Sequence, residues 1–122
     1  YFKWSEETEY KIISNCDLGI MPLYDGCFEN SKCAYKLIQY MSCGIPCLAS
    51  AVGENLRVIN NGENGFICRN TNDWISSIQN FIENPELLRK MGKNSYEKFK
   101  KSFSVDVSSN TLIDEISILS QK

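Results

Sequence analysis

Within residues 31–50, SKCAYKLIQYMSCGIPCLAS, two lysines and an amide recur at helical spacing: Lys32, Lys36 and Gln39. Projected at 3.6 residues per turn they share one face, while Ala34, Leu37, Ile38 and Met41 form the opposite, apolar one. Free backbone amides at a helix start, with lysines beside them, suit the binding of a phosphate group. Lys32 is expected in the first turn of a helix over residues 31–43. The helix dipole disfavours a cation there by roughly 0.3–1 kcal/mol, so an anionic ligand would rationalise its presence. An ordinary solvated helix face is the competing reading.

Other reactive residues point to less. The six cysteines Cys16, Cys27, Cys33, Cys43, Cys47 and Cys68 include no C-x-x-C pair, and the chain has no histidine. Neither a zinc site nor a disulfide framework fits that spacing. Cys16, Cys47 and Cys68 stand in apolar surroundings and are expected to be reduced, structural thiols in a reducing compartment. Cys33 and Cys43 lie close to the lysines but have no evident base to activate them. Asp25 and Glu29 are a candidate carboxylate pair, although acidic residues in a loop more often shape turns. No metal and no cofactor are expected.

The elements that must position these groups follow from periodicity and caps. An aromatic run over residues 1–4 reads as a strand end, with Trp4 and Trp74 as packing residues. Ser5 then caps a helix ending at Ser14 or Asn15, with Glu6, Glu7 and Glu9 in its first turn. Residues 17–23 (DLGIMPL) read as a strand buried on both faces, followed by a polar loop over residues 24–30. After the helix over residues 31–43, residues 46–50 form the next strand and complete a βαβ unit. Gly53 and Glu54 open a short helix, NNGENG over residues 60–65 is a turn, and residues 66–68 are a strand. Trp74, Ile75, Ile78, Phe81 and Ile82 make a core stripe on a helix over residues 73–82. Asn84 and Pro85 start another helix, which Gly92 interrupts, and a last helix spans residues 105–119. About four short strands alternating with helices predict an α/β fold, a Rossmann-like parallel sheet with flanking helices. In such sheets ligands bind outside the carboxyl ends of the strands, here the loop at residues 24–30 and the helix after it.

At 122 residues, 43% hydrophobic and 23% charged, the chain suits one globular domain. A net charge of −2, from 13 basic and 15 acidic side chains, argues against nucleic acid as the main partner. No run of 18 apolar residues occurs. No signal peptide is evident, and Tyr1 at the first position is expected to lie mid-protein.

The order DLGIMPL, KCAYKLIQYMSCGIPCLAS, VGENLRVINNGENGFI, a helix opening on Asp-Trp and ENPELLRKMG resembles the C-terminal domain of retaining GT-B glycosyltransferases of the GT4-type, group 1 family. KLIQYMSCGIPCLAS is the most specific piece. The resemblance covers nearly all of residues 1–122 and implies a nucleotide-sugar-binding domain fragment whose N-terminal acceptor domain, and the first strands of its own sheet, lie outside this chain. It implies a glycosyltransferase, hexosyltransferase in type, that acts without metal on a nucleotide diphosphate sugar and a glycan or lipid-linked acceptor. Polysaccharide, glycolipid or glycoprotein assembly in the cytoplasm, at times on the inner membrane face, is the setting implied. The fragment alone is expected to be inactive and to self-associate through an exposed sheet edge.

In that family an E-x7-E motif ends on the helix matching residues 31–43. Its second glutamate, placed toward the nucleotide ribose, corresponds to Gln39, and its first, placed toward the donor sugar, to Ser31. Glu29 lies two residues earlier and is the nearest acid. Arg57 stands where the family tends to carry an acidic residue. Glu29, Ser31, Lys32, Cys33, Lys36 and Gln39 are thus the implied donor-binding residues, and the catalytic residue is unassigned. A non-catalytic α/β nucleotide-binding module, or a degenerate glycosyltransferase that only binds, is the alternative. A receiver domain lacks its acidic cluster because Asp17 opens its strand, and a dinucleotide-binding domain lacks its G-x-G-x-x-G turn.

Overall fold

The computed structural model describes residue 3 and residues 5–120. The aromatic run expected as a strand end, including Trp4, lies outside the described residues apart from Lys3. The order is α1 (Glu6–Ser14), β1 (Gly19–Met21), α2 (Cys27–Asn30), α3 (Tyr35–Ser42), β2 (Cys47–Ser50), α4 (Asn55–Val58), β3 (Gly65–Cys68), α5 (Thr71–Glu83), α6 (Pro85–Ser102) and α7 (Val105–Ser120). Among the described residues the sheet has three strands, all parallel, in the order β1-β2-β3. This is the expected α/β architecture.

Every residue of β2 is buried, as befits a central strand covered on both faces. Cys47 and Ala49 face a cluster with Leu37 and Met41 of α3, Val58 of α4 and Ile67, whereas Leu48 faces Cys68, Phe81 of α5 and Met91 of α6. Helices α3 and α4 therefore close one face of the sheet and α5 the other, while α6 packs on both clusters, through Met91 on one and Phe99 on the other. Ser5 caps α1 as expected, its hydroxyl accepting from the Thr8 amide at 3.1 Å.

Several expectations are corrected. β1 is not buried on both faces: Ile20 is 52% exposed, because α5 and α6 lie over β3 and leave this edge of the sheet open. α6 runs through Gly92 without a break. A Cβ there would meet the Gly44 carbonyl oxygen at 2.4 Å, so Gly92 allows close packing on the α3–β2 turn and does not interrupt the helix. The stripe on α5 is only partly core. Phe81 is buried and Trp74 half-buried, whereas Ile75, Ile78 and Ile82 are exposed. The apolar residues of α7 are exposed as well, apart from the half-buried Val107. All six cysteines are free; Cys47 and Cys68 are buried, but Cys16 is exposed beside the end of α1, where its thiol donates to the Ile12 carbonyl.

Candidate functional site

The carboxyl ends of the three parallel strands open into a cavity of about 520 Å³ lined by Asp25, Ser50, Val52, Cys68, Arg69 and Trp74, among others. The loop leaving β1 and the start of α3 stand at this end of the sheet, where the parallel topology predicts a ligand.

α3 does not begin at Ser31. Residues 27–30 form the separate turn α2, and Ser31 caps it, its amide donating to the Phe28 carbonyl and its hydroxyl to the Cys27 carbonyl. The cause is Asn30. Its side-chain amide donates to Asp25 Oδ1 at 2.8 Å and to the Gly26 carbonyl at 2.9 Å, while its oxygen accepts the Gly53 amide at 3.1 Å. Side-chain bonds of this kind compete with helix propagation. The chain re-enters a helix only after Ala34, which is buried and adopts a left-handed conformation (φ 55°, ψ 28°). Such a backbone disfavours a non-glycine residue by roughly 1–2 kcal/mol, and sites of this sort recur at ligand-binding turns. The amides of Tyr35 and Lys36 follow at the helix start, where no carbonyl of the helix can accept them.

The expected single face of Lys32, Lys36 and Gln39 is therefore split. Lys32 lies ahead of α3, its amide donating to the Glu29 carbonyl and its ammonium over the Phe28 ring, 5.0 Å from the centroid. Cys33 is exposed. Glu29 and Asp25 do not form a pair; Asp25 is engaged by Asn30. Lys36 and Gln39 do meet, through a residue the sequence did not single out. Glu9 of α1 accepts from Lys36 Nζ at 3.0 Å and from Gln39 Nε2 at 3.2 Å, all through Oε1. Glu9 reads in sequence as a dipole-matching acid in a first turn, and only the packing of α1 beside α3 reveals its second role. Gln39 Oε1 is buried and has no hydrogen-bond partner among the described residues. Cys43, half-buried, lines a cavity of about 220 Å³ with Gln39, Glu9 and Tyr35. Arg57, at the position unusual for its charge, pairs with Glu54 at 2.7 Å on the exposed face of α4.

Residues 2–98 match the family model described as "Glycosyl transferases group 1". Among curated proteins, N-acetyl-alpha-D-glucosaminyl L-malate synthase from Bacillus anthracis is 30% identical over 77 residues, covering 62% of this chain and 20% of that protein. Trehalose synthase from Pyrococcus horikoshii is 31% identical over 62 residues, or 51% of this chain and 15% of that protein. The chain thus spans a fifth or less of these relatives. Among solved structures, sucrose-phosphate synthase from Thermosynechococcus elongatus superposes with a TM-score of 0.77 at 21% identity over all of this chain and 30% of its own. HepE from Anabaena in complex with UDP gives 0.71 at 19% identity over 88% of this chain and 29% of its own. These likenesses establish the fold.

Proposed function

The chain belongs to the group 1 glycosyl transferases, and from that premise we propose that residues 1–122 are the C-terminal, donor-binding part of a larger retaining enzyme. That enzyme transfers a hexosyl group from a nucleotide diphosphate sugar to a glycan or lipid-linked acceptor. The observation that carries the reading is the strained turn at Ala34, which starts α3 after β1 with first-turn amides that no carbonyl of the helix can accept and with Lys32 and Lys36 flanking it in sequence. HepE is solved with UDP and with UDP-glucose, which favours a uridine diphosphate sugar as the donor.

In the proposed reaction the bond from the anomeric carbon to the diphosphate breaks and a bond to an acceptor hydroxyl forms on the same face of the sugar. The hydroxyl proton leaves to the departing phosphate. Charge develops on the diphosphate, and pre-placed cations and amide donors stabilise it without reorganisation. Lys32, Lys36 and the amides of Tyr35 and Lys36 are assigned that role, and Glu29, Ser31, Cys33 and Gln39 are proposed as further donor contacts. The acceptor and its activating groups belong to an N-terminal domain in this reading. Among the described residues no helix is long and apolar enough to cross a membrane.

Calorimetric titration of the full-length protein with UDP, GDP, ADP and their sugars, repeated with Lys32 and Lys36 replaced, tests this. Binding of one nucleotide that depends on the lysines is expected, and binding of none would remove the reading. The binding-only alternative draws on Ser31, whose hydroxyl is spent on the Cys27 carbonyl, and on Gln39 in place of an acid. Donor binding without turnover in the full-length protein would select it.

A further inference from the structure

We propose that Glu9 is the acidic residue of the nucleotide-sugar site, carrying from α1 the negative charge that the family pattern places at position 39; the inference rests on the donor-binding reading above. Glu9 and Gln39 are 30 residues apart, yet the Gln39 amide donates to Glu9 Oε1 at 3.2 Å while Lys36 Nζ donates to the same oxygen at 3.0 Å. A glutamate at position 39 would set two carboxylates against each other, and like charges that close do not both ionise. An acid at 9 and an amide at 39 are therefore a matched pair, as an amide at 9 and an acid at 39 would be.

The orientation of Gln39 supports this. Its nitrogen is committed to Glu9, and its oxygen is left buried without a partner among the described residues. Turning the amide over would oppose that oxygen to the carboxylate, so the side chain tolerates an unsatisfied acceptor in order to serve Glu9. The Glu9 side chain is 25% exposed and lines two adjoining cavities of about 220 and 210 Å³, the first shared with Tyr35 at the start of α3 and the second with Lys36 and Tyr40. A carboxylate fixed by an ammonium and an amide is a rigid acceptor for hydroxyl donors, the chemistry that a ribose offers. Glu9 thus takes the ribose hydroxyls, and Gln39 acts as its positioning residue.

The test is calorimetric titration of the full-length protein with UDP, or whichever of UDP, GDP and ADP binds, and with the 2′- and 3′-deoxy forms of that nucleotide. The proteins compared are wild type, Glu9→Gln, Gln39→Glu and the double exchange. Wild type should prefer the ribonucleotide by about tenfold, the size of one charge-assisted hydrogen bond. Glu9→Gln should lose that preference, weakening the ribonucleotide and leaving the deoxy forms nearly unchanged. Gln39→Glu should weaken every nucleotide, and the double exchange should recover ribonucleotide affinity to within about threefold. Glu9→Gln binding like wild type, or weakening all forms equally, would overturn the proposal, as would a double exchange no better than its weaker parent. If Gln39→Glu does not fold, the Glu9→Gln series alone decides. A wild type that binds no nucleotide removes the donor-binding reading and this inference together, whereas the other outcomes in a nucleotide-binding wild type overturn the inference alone.

Discussion

The Gly53 amide donates to Asn30 Oδ1 at 3.1 Å, and a Cβ at Gly53 would lie 2.8 Å from the Asn30 carbonyl oxygen. These two residues clasp the loops that leave β1 and β2, one of which carries Ser31 and Lys32. Gly53 has a φ of 49°, so both the close approach and the backbone conformation call for glycine. Asn30→Ala is expected to destabilise the protein by about 0.5–1.5 kcal/mol through the solvent-accessible hydrogen bonds it removes. Gly53→Ala should lower stability by a similar amount, about 1–2 kcal/mol from the left-handed backbone plus the clash. Because each breaks the same clasp, the double variant should fall short of the sum by at least about 0.5 kcal/mol in denaturant unfolding. Strict additivity would show that the loops are held independently.

Gly92→Ala opposes two effects. Alanine favours a helix interior over glycine by about 1 kcal/mol. The added Cβ, however, would stand 2.4 Å from the Gly44 carbonyl oxygen and 3.4 Å from Pro46 Cδ, and the nearer neighbour is backbone that cannot rotate away. Overpacking of this kind destabilises by about 1–3 kcal/mol, so the net change should be a loss. Denaturant unfolding that shows a gain would mean α6 does not press on the α3–β2 turn.

Lys36→Ala in the full-length protein should weaken donor binding at least about tenfold, since charge-assisted contacts contribute about 1.5–3 kcal/mol. Two losses act together. The diphosphate would lose a cation, and Glu9 would lose the ammonium 3.0 Å from its Oε1. Unchanged affinity in calorimetry would take Lys36 out of the site.

Burial pushes the Cys47 thiol up to about 12 from an ordinary value of 9.0. The folded protein then holds this proton more tightly than the unfolded chain does. The resulting contribution is fully present below pH 9.0 and is lost as pH rises from there toward about 12. Stability measured across that window should decline, and the decline should be shallower in Cys47→Ala. The same burial should leave Cys47 unmodified by iodoacetamide near neutral pH, while the exposed Cys27 and Cys33 react. Mass spectrometry after limited alkylation reads that order directly.

What the sequence determined by itself is the content and order of the elements. Ser5 as a cap, the apolar run of β2, the NNGENG turn before β3 and Pro85 at the head of α6 are local signals, and the structure places each where the sequence indicates. The helix over residues 31–43 was legible as a helix but not in its start. Its apolar spacing extends back to Ala34, whereas the Asn30 side chain, bonded across to Gly53, diverts the chain first.

Only the tertiary structure decided which residues act together. Glu9 meets Lys36 and Gln39 because α1 packs beside α3, a contact between segments some 30 residues apart that no local pattern encodes. The same holds for burial. Ile20 is as apolar as Leu48, yet Ile20 lies on an open edge and Leu48 beneath α5 and α6. Hydrophobic periodicity says which face of an element is apolar; whether that face is covered depends on how many neighbours the fold brings to it.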